Sequence, residues 1–267
     1  MMKVRLFLKK TARSVLPNAL LKVYKKHRTF RWIRNFDINQ EHDLKVIQIL
    51  VGKEDCVLDI GANVGLYTCF IAPWVKRIYS IEPVPETLEI LESTIKQMKL
   101  RNVIPLNVAV SDKEETVMMS IHRNSSGFEN YFRAKIVNDE TRENERRVKV
   151  RSVTMDSQFS HMADSITFVK CDIEGHELSC LHGAKEFLEK SNAAWLIEVS
   201  GDPKEKGSSA NQVFEIFSER CFMIFSYDGK SLRPRGHGER DRNFFFFQER
   251  HIRKLRDGKS IPVQPGE

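Results

Sequence analysis

Residues 170–184 read KCDIEGHELSCLHGA. Six positions hold Asp172, Glu174, His176 and Glu177. Three kinds of chemistry use such residues. Carboxylates and an imidazole can ligate a hard cation. Paired carboxylates can hold and accept a proton. Acidic side chains at a helix N-terminus can simply answer the macrodipole, for about 0.3–1 kcal/mol each. No second His or Cys falls at metal spacing nearby, so no metal is expected. Leu178, Leu181, Ala184 and Leu188 recur as the apolar stripe of a helix. Glu174 and Glu177 precede Leu178 and Leu181 by four residues, which extends the inward stripe with carboxylates. His176, turned about 100° from Glu177, is expected to be exposed. Asp172 ends the apolar run Ile166–Cys171, at the edge where Asp59 and Glu82 end theirs; with Glu174 it is a leading catalytic candidate, with Glu177 as support. Glu198, closing the run Leu196-Ile197-Glu198, is a candidate for substrate binding, because a carboxylate at a buried edge is unusual.

A second constellation is VLDIGANVG at 57–65. Gly61 and Gly65 suit a tight strand-to-helix turn where backbone approaches a ligand. The dinucleotide pattern G-x-G-x-x-G is not met, since Asn63 stands at its middle glycine, and the phosphate-loop Lys-Ser/Thr is absent. An adenosine ligand without a pyrophosphate fits better. Asp59 can accept from that ligand or fix the loop. Glu82 ends the next apolar run, where a carboxylate can take both hydroxyls of a ribose.

These residues need a scaffold that brings strand ends to one edge. Apolar runs predict strands at 56–60, 77–81, 103–110, 166–171, 194–199, 222–227 and 243–248. Helical periodicity predicts helices at 41–51, 65–74, 87–99, 174–190 and 211–221. Strands alternating with helices give an α/β fold with a parallel sheet covered on both faces. Residues 111–155 interrupt that rhythm. Val117, Met119 and Ile121, then Val148 and Val150, alternate. They predict two inserted strands joined by a long polar loop.

The blocks VLDIGANVGLYT, IEPVPE, NVAVSD, VKCDIEGHELSCLHGA and LIEV resemble the FkbM-type S-adenosylmethionine-dependent methyltransferase family. The resemblance runs from about Val57 to Phe247. It implies a class I methyltransferase (Rossmann-like) fold, with a mainly parallel seven-stranded sheet containing one antiparallel strand. It also implies S-adenosyl-L-methionine as cofactor and O-methylation of a sugar, polysaccharide or other small-molecule hydroxyl. By the same resemblance Asp59, Gly61, Asn63 and Gly65 would line the methionine end of the cofactor. Glu82 would hold the ribose, Ala109 would lie near the adenine, and Asp172 would stand beside the methyl group. The competing uses are methylation of nucleic acid and a degenerate fold that only binds. Blocks typical of amino-group or ring-carbon methylation are missing, which argues against nucleic acid as a partner.

Charge is uneven along the chain. The segment Met1–Phe36 carries eleven of the 43 Lys and Arg residues and no acid, leaving 32 bases against 36 acids. Residues 1–40 are read as a basic, helical extension, 41–250 as the cofactor-binding domain and 251–267 as a polar tail. Val4, Leu8, Ala12 and Val15 recur near helical spacing. Peripheral contact with an anionic membrane surface is the partner this suggests. No spanning or signal segment is expected. Five scattered cysteines, without a C-x-x-C pair, point to a reducing, cytoplasmic setting. The sequon at Asn124 would go unused there. Arg233, Arg235, Arg240 and Arg242 with His237 are read as a solvated loop, an anionic acceptor being the other use.

Overall fold

A computed structural model describes residues 18–123, 129–137, 145–234, 242–258 and 261–264. The leader positions Val4, Leu8, Ala12 and Val15, the sequon at Asn124, and Arg235, His237 and Arg240 lie outside them. The chain opens with α1 (Asn18–Arg34) and α2 (Asp43–Leu50). The pairs β1 (Cys56–Ile60) and α3 (Leu66–Ile71), then β2 (Arg77–Ile81) and α4 (Pro85–Gln97), follow. Next come β3 (Val103–Leu106), β4 (Ala109–Val110), β5 (Thr116–Arg123), β6 (Glu129–Val137), β7 (Glu145–Val153) and α5 (Met155–Phe159). Then β8 (Ile166–Cys171), α6 (Glu177–His182), α7 (Lys185–Lys190), β9 (Ala194–Glu198) and α8 (Ser209–Ser218) restore the alternation. The chain closes with β10 (Met223–Tyr227), β11 (Leu232–Pro234), β12 (Asn243–Phe247) and α9 (Glu249–Asp257).

The main sheet has the order β11-β10-β12-β9-β8-β1-β2-β3. β12 runs antiparallel between β9 and β10, as the expected fold requires. The expected count of seven is exceeded by one. β11 adds an antiparallel edge strand, too short and polar to stand out as an apolar run. It forms across a turn in which Asp228 Oδ1 accepts from the backbone N–H groups of Lys230 and Ser231. The four phenylalanines of β12 alternate: Phe244 and Phe246 join the core on one face, Phe245 and Phe247 the core on the other. That arrangement requires helices on both faces.

The insertion differs from the two-strand expectation. β5, β6 and β7 form an antiparallel unit, and β4 pairs with β7 in a second sheet of order β4-β7-β5-β6. The single run 103–110 is thus split between two sheets. The described residues after 250 are not a polar tail. Ile252 and Leu255 of α9 and the following Ile261 are buried in the core around α2, and Leu232 pairs with Val263. Apolar residues three apart suffice to bury one face of an otherwise charged helix.

Candidate active site

All the strand ends of interest reach one edge of the sheet. The loop after β1 holds Gly61 at φ +77° and Asn63 at φ +51°. A Cβ on Gly61 would lie 1.9 Å from the Asp172 carbonyl oxygen, so only glycine lets the two strand ends pass this closely. Glu82 sits opposite. Its Oε2 accepts from Asn63 N–H at 3.0 Å and its Oε1 from Val84 N–H at 2.8 Å. Burial pushes Glu82 up to about 7 against these two bonds. Gly61, Asn63, Glu82, Ala109, Asp172, Glu174 and His176 line one cavity, and Met119, Ala134 and Ile136 of the insertion close it. Asp59 and Gly65 stand behind this lining. Gly65, at φ +95°, begins α3, and a Cβ there would meet Leu91 at 2.4 Å. Asp59 is fully buried, and its Oδ2 accepts from Thr68 Oγ at 2.6 Å.

The acidic stretch folds differently from its helical reading. The expected helix 174–190 is two helices, broken at Gly183 and Ala184. A Cβ on Gly183 would fall 2.1 Å from the Ser111 carbonyl oxygen. Glu174 precedes α6 and is exposed in a turn with φ +57°, followed by Gly175 at φ +96°. Helical spacing therefore does not orient Glu174. It does hold for Glu177, which is buried. Glu177 Oε1 accepts from the N–H groups of Ile173 and Gly175, each at 3.1 Å, and so fastens the turn. His176 is not the exposed side chain expected. It is half-buried, its Nε2 lies 2.9 Å from Ser111 Oγ, and burial lowers its pKa.

A second cavity adjoins the first at Asp172. Glu41, Tyr67, Lys170, Asp172, Leu196, Glu198 and Asn243 line it. Lys170 is its centre, and the sequence reading passed over it. β8 places Lys170 in register with Asp59 on β1 and Leu196 on β9. Its Nζ lies 3.3 Å from Asp172 Oδ2, 3.7 Å from Asp59 Oδ1 and 5.0 Å from the Tyr67 ring centroid. Tyr67 in turn donates to Glu41 Oε2 at 3.0 Å. The only signal in the sequence is one Lys inside the apolar run ITFVKC. Burial pushes Asp172 upward, but Lys170 and a hydrogen bond from Glu198 outweigh it and hold the carboxyl below its ordinary value. Burial and that same bond raise Glu198 to about 7. The pair can therefore share one proton near neutrality, with Asp172 ionised and Glu198 the holder.

Residues 59–224, more than half the chain, match the FkbM methyltransferase domain. The chain belongs to the FkbM methyltransferase family. A curated relative is the hexuronic acid methyltransferase AglP of Haloferax volcanii, 27% identical over 175 residues, which cover 63% of this chain and 67% of that protein. Among solved structures, methyltransferase FkbM of Methylobacillus flagellatus aligns with TM-score 0.46 at 17% identity, over 73% of this chain. The alignment spans 44% of that longer chain. A Streptococcus mutans protein solved with SAH aligns with TM-score 0.46 at 12% identity, over 79% of this chain and 97% of its own. The family makes this chain a methyltransferase that uses S-adenosylmethionine. The first cavity suits that cofactor: Gly61 lets the ends of β1 and β8 pass closely at its wall, and the Glu82 carboxylate, fixed by two backbone N–H groups, lines it.

Proposed function

We propose that this enzyme methylates a hydroxyl group of a sugar or a similarly hydroxyl-rich small molecule. The observation that carries the reading is the place of Asp172. It lines both cavities, with the cofactor-type cradle on one side and a polar pocket on the other. In this reading Gly61, Asn63, Glu82 and Ala109 hold the cofactor, with Glu82 toward the ribose. Asp59 and Gly65 shape the loop from behind. When bound, the cofactor supplies an electrophilic methyl group.

The chain's own residues do the rest. Asp172, kept ionised by Lys170, accepts the hydrogen bond of the acceptor hydroxyl and orients its oxygen. The Asp172–Glu198 pair takes up the hydroxyl proton, burial and Asp172 having raised Glu198 toward the neutral range. Asn243 and Glu41 offer further partners for neighbouring hydroxyls. Glu174 and His176 border the first cavity from the turn. Glu177 acts through the turn it fastens rather than on the acceptor. Methylation of a hexuronic acid by the haloarchaeal relative supports a sugar acceptor. The charge of the pocket agrees with that class. Lys170 is the one cation among its described lining residues, and it is already paired with Asp59 and Asp172. With Arg242 Nη1 also 3.9 Å from Glu198 Oε1 at the edge, this mix of carboxylates and cations suits a hydroxyl-rich acceptor.

The test is transfer of a labelled methyl group to a panel of neutral sugars, uronic acids, lipid-linked glycans and RNA. Label on a sugar hydroxyl, lost in Asp172→Asn and reduced at least tenfold in Glu198→Gln, is the expected result. Label on RNA, or variants that bind SAH and turn over at the wild-type rate, would overturn the reading.

A further inference from the structure

Among the described residues, five large apolar side chains stand exposed, and four of them lie on α1: Leu20, Val23, Tyr24 and Trp32. One side of this helix is accounted for. Ile33 is buried against Val64, Cys69 and Ile90, and Lys22 and Lys26 reach Glu89 of α4. At 100° per residue, Lys22, Lys26 and Ile33 share a narrow arc that faces the body. The opposite arc, about 140° wide, holds Leu20, Val23, Tyr24, His27, Arg28, Arg31 and Arg34, all exposed. The face is graded along its length. Its first turns are apolar and the later ones basic, with the Arg28 guanidinium 6.0 Å from the Tyr24 ring centroid. No acid occurs before Asp37.

We propose that this outward face of α1 docks the enzyme on an anionic lipid bilayer. Leu20, Val23 and Tyr24 enter the acyl boundary, while Arg28, Arg31 and Arg34 lie among the headgroup phosphates. A bilayer answers both halves of the face, since interfacial helices combine buried apolar area with attraction to anionic lipid. Nucleic acid would answer only the arginines and leave the Leu and Val side chains in water. The contact lies on the surface of the membrane, because no helix of the described residues is long and apolar enough to cross one. The proposal does not depend on the identity of the methyl acceptor.

The experiment is co-sedimentation of the full chain with vesicles. One set is pure phosphatidylcholine, the other two parts phosphatidylcholine to one part phosphatidylglycerol. Binding to the mixed vesicles alone, weakening as salt rises, is expected. Leu20→Glu with Val23→Glu lowers that binding more than tenfold. Arg28→Ala, Arg31→Ala and Arg34→Ala together lower it about a hundredfold, at roughly fivefold per charge. Both variants keep wild-type SAH affinity and circular dichroism, because these side chains point away from the fold. Absence of binding to mixed vesicles overturns the proposal. So does binding that survives Leu20→Glu with Val23→Glu, or an RNA oligonucleotide that binds more tightly than the vesicles and loses affinity in the same variants.

Discussion

Lys170→Met removes one charge and keeps an unbranched side chain in β8. Lys170 is 7% exposed and Asp59 is fully buried, with 3.7 Å between Nζ and Oδ1. Asp59 Oδ1 accepts no hydrogen bond, so without Lys170 the carboxylate keeps only the Thr68 bond on its other oxygen. Breaking a buried pair on one side costs about 3–5 kcal/mol, a large part of an ordinary domain's about 5–15 kcal/mol. Asp172 adds less, because it is 36% exposed and water screens it. The cost has a pH signature. Burial already raises Asp59 above its ordinary value, with Lys170 the main opposing influence. Removing that opposition raises it further. A group raised on folding stabilises fully below its unfolded value, about 3.9 for Asp. That stabilisation is lost as pH climbs through the folded value. The variant should therefore lose about 1.4 kcal/mol per pH unit relative to its acid limit across that window. The wild type has the same sign over a narrower window. Urea denaturation from pH 5 to pH 9 measures this directly. Adding Asp59→Asn should restore most of the loss at pH 8, since a neutral amide carries no buried charge. A Lys170→Met curve parallel to wild type at every pH, or a double variant no more stable than the single at pH 8, would refute the electrostatic account.

Gly61→Ala combines a Cβ 1.9 Å from the Asp172 carbonyl with φ +77°. The left-handed conformation alone costs about 1–2 kcal/mol. Calorimetric titration should show SAH affinity reduced at least tenfold, and wild-type affinity would count against the cradle. Glu82, raised to about 7 by burial, contributes stability that is complete below its unfolded value and falls as pH rises through 7. The ionised form is the better acceptor for ribose hydroxyls, so SAH affinity should increase from pH 6 to pH 8 in the wild type and stay flat in Glu82→Gln. Ile252→Ala and Leu255→Ala each remove a buried side chain of α9 and should cost about 2–5 kcal/mol in urea. Unchanged unfolding midpoints would mean that the helix does not pack as described.

Seven of the eight strands of the main sheet were legible because each is an apolar run bounded by turn residues, and strand VLDI with its glycine turn located the site's edge. What was not legible depends on partners remote in sequence. The opposition of Lys170 and Asp59 arises from the register of β8 against β1, and no spacing within either segment encodes it. Glu174 was misplaced for a local reason. Gly175 behind it permits consecutive left-handed residues, which start the helix later than the apolar stripe suggests. α9 was hidden by its charge, since six of the nine residues in ERHIRKLRD are charged at neutral pH, and burial of only Ile252, Leu255 and His251 docks it. Proximity in sequence grouped Asp172, Glu174 and Glu177 as one acidic cluster. The fold separates them by what each oxygen is used for. Glu177 gives one to the N–H groups of Ile173 and Gly175, and Asp59 is held below by Thr68 and Lys170. The carboxyl pair beside the second cavity joins Asp172, just past the end of β8, to Glu198 at the end of β9. A proton can be held there because one partner is kept ionised while the other is pushed toward neutrality.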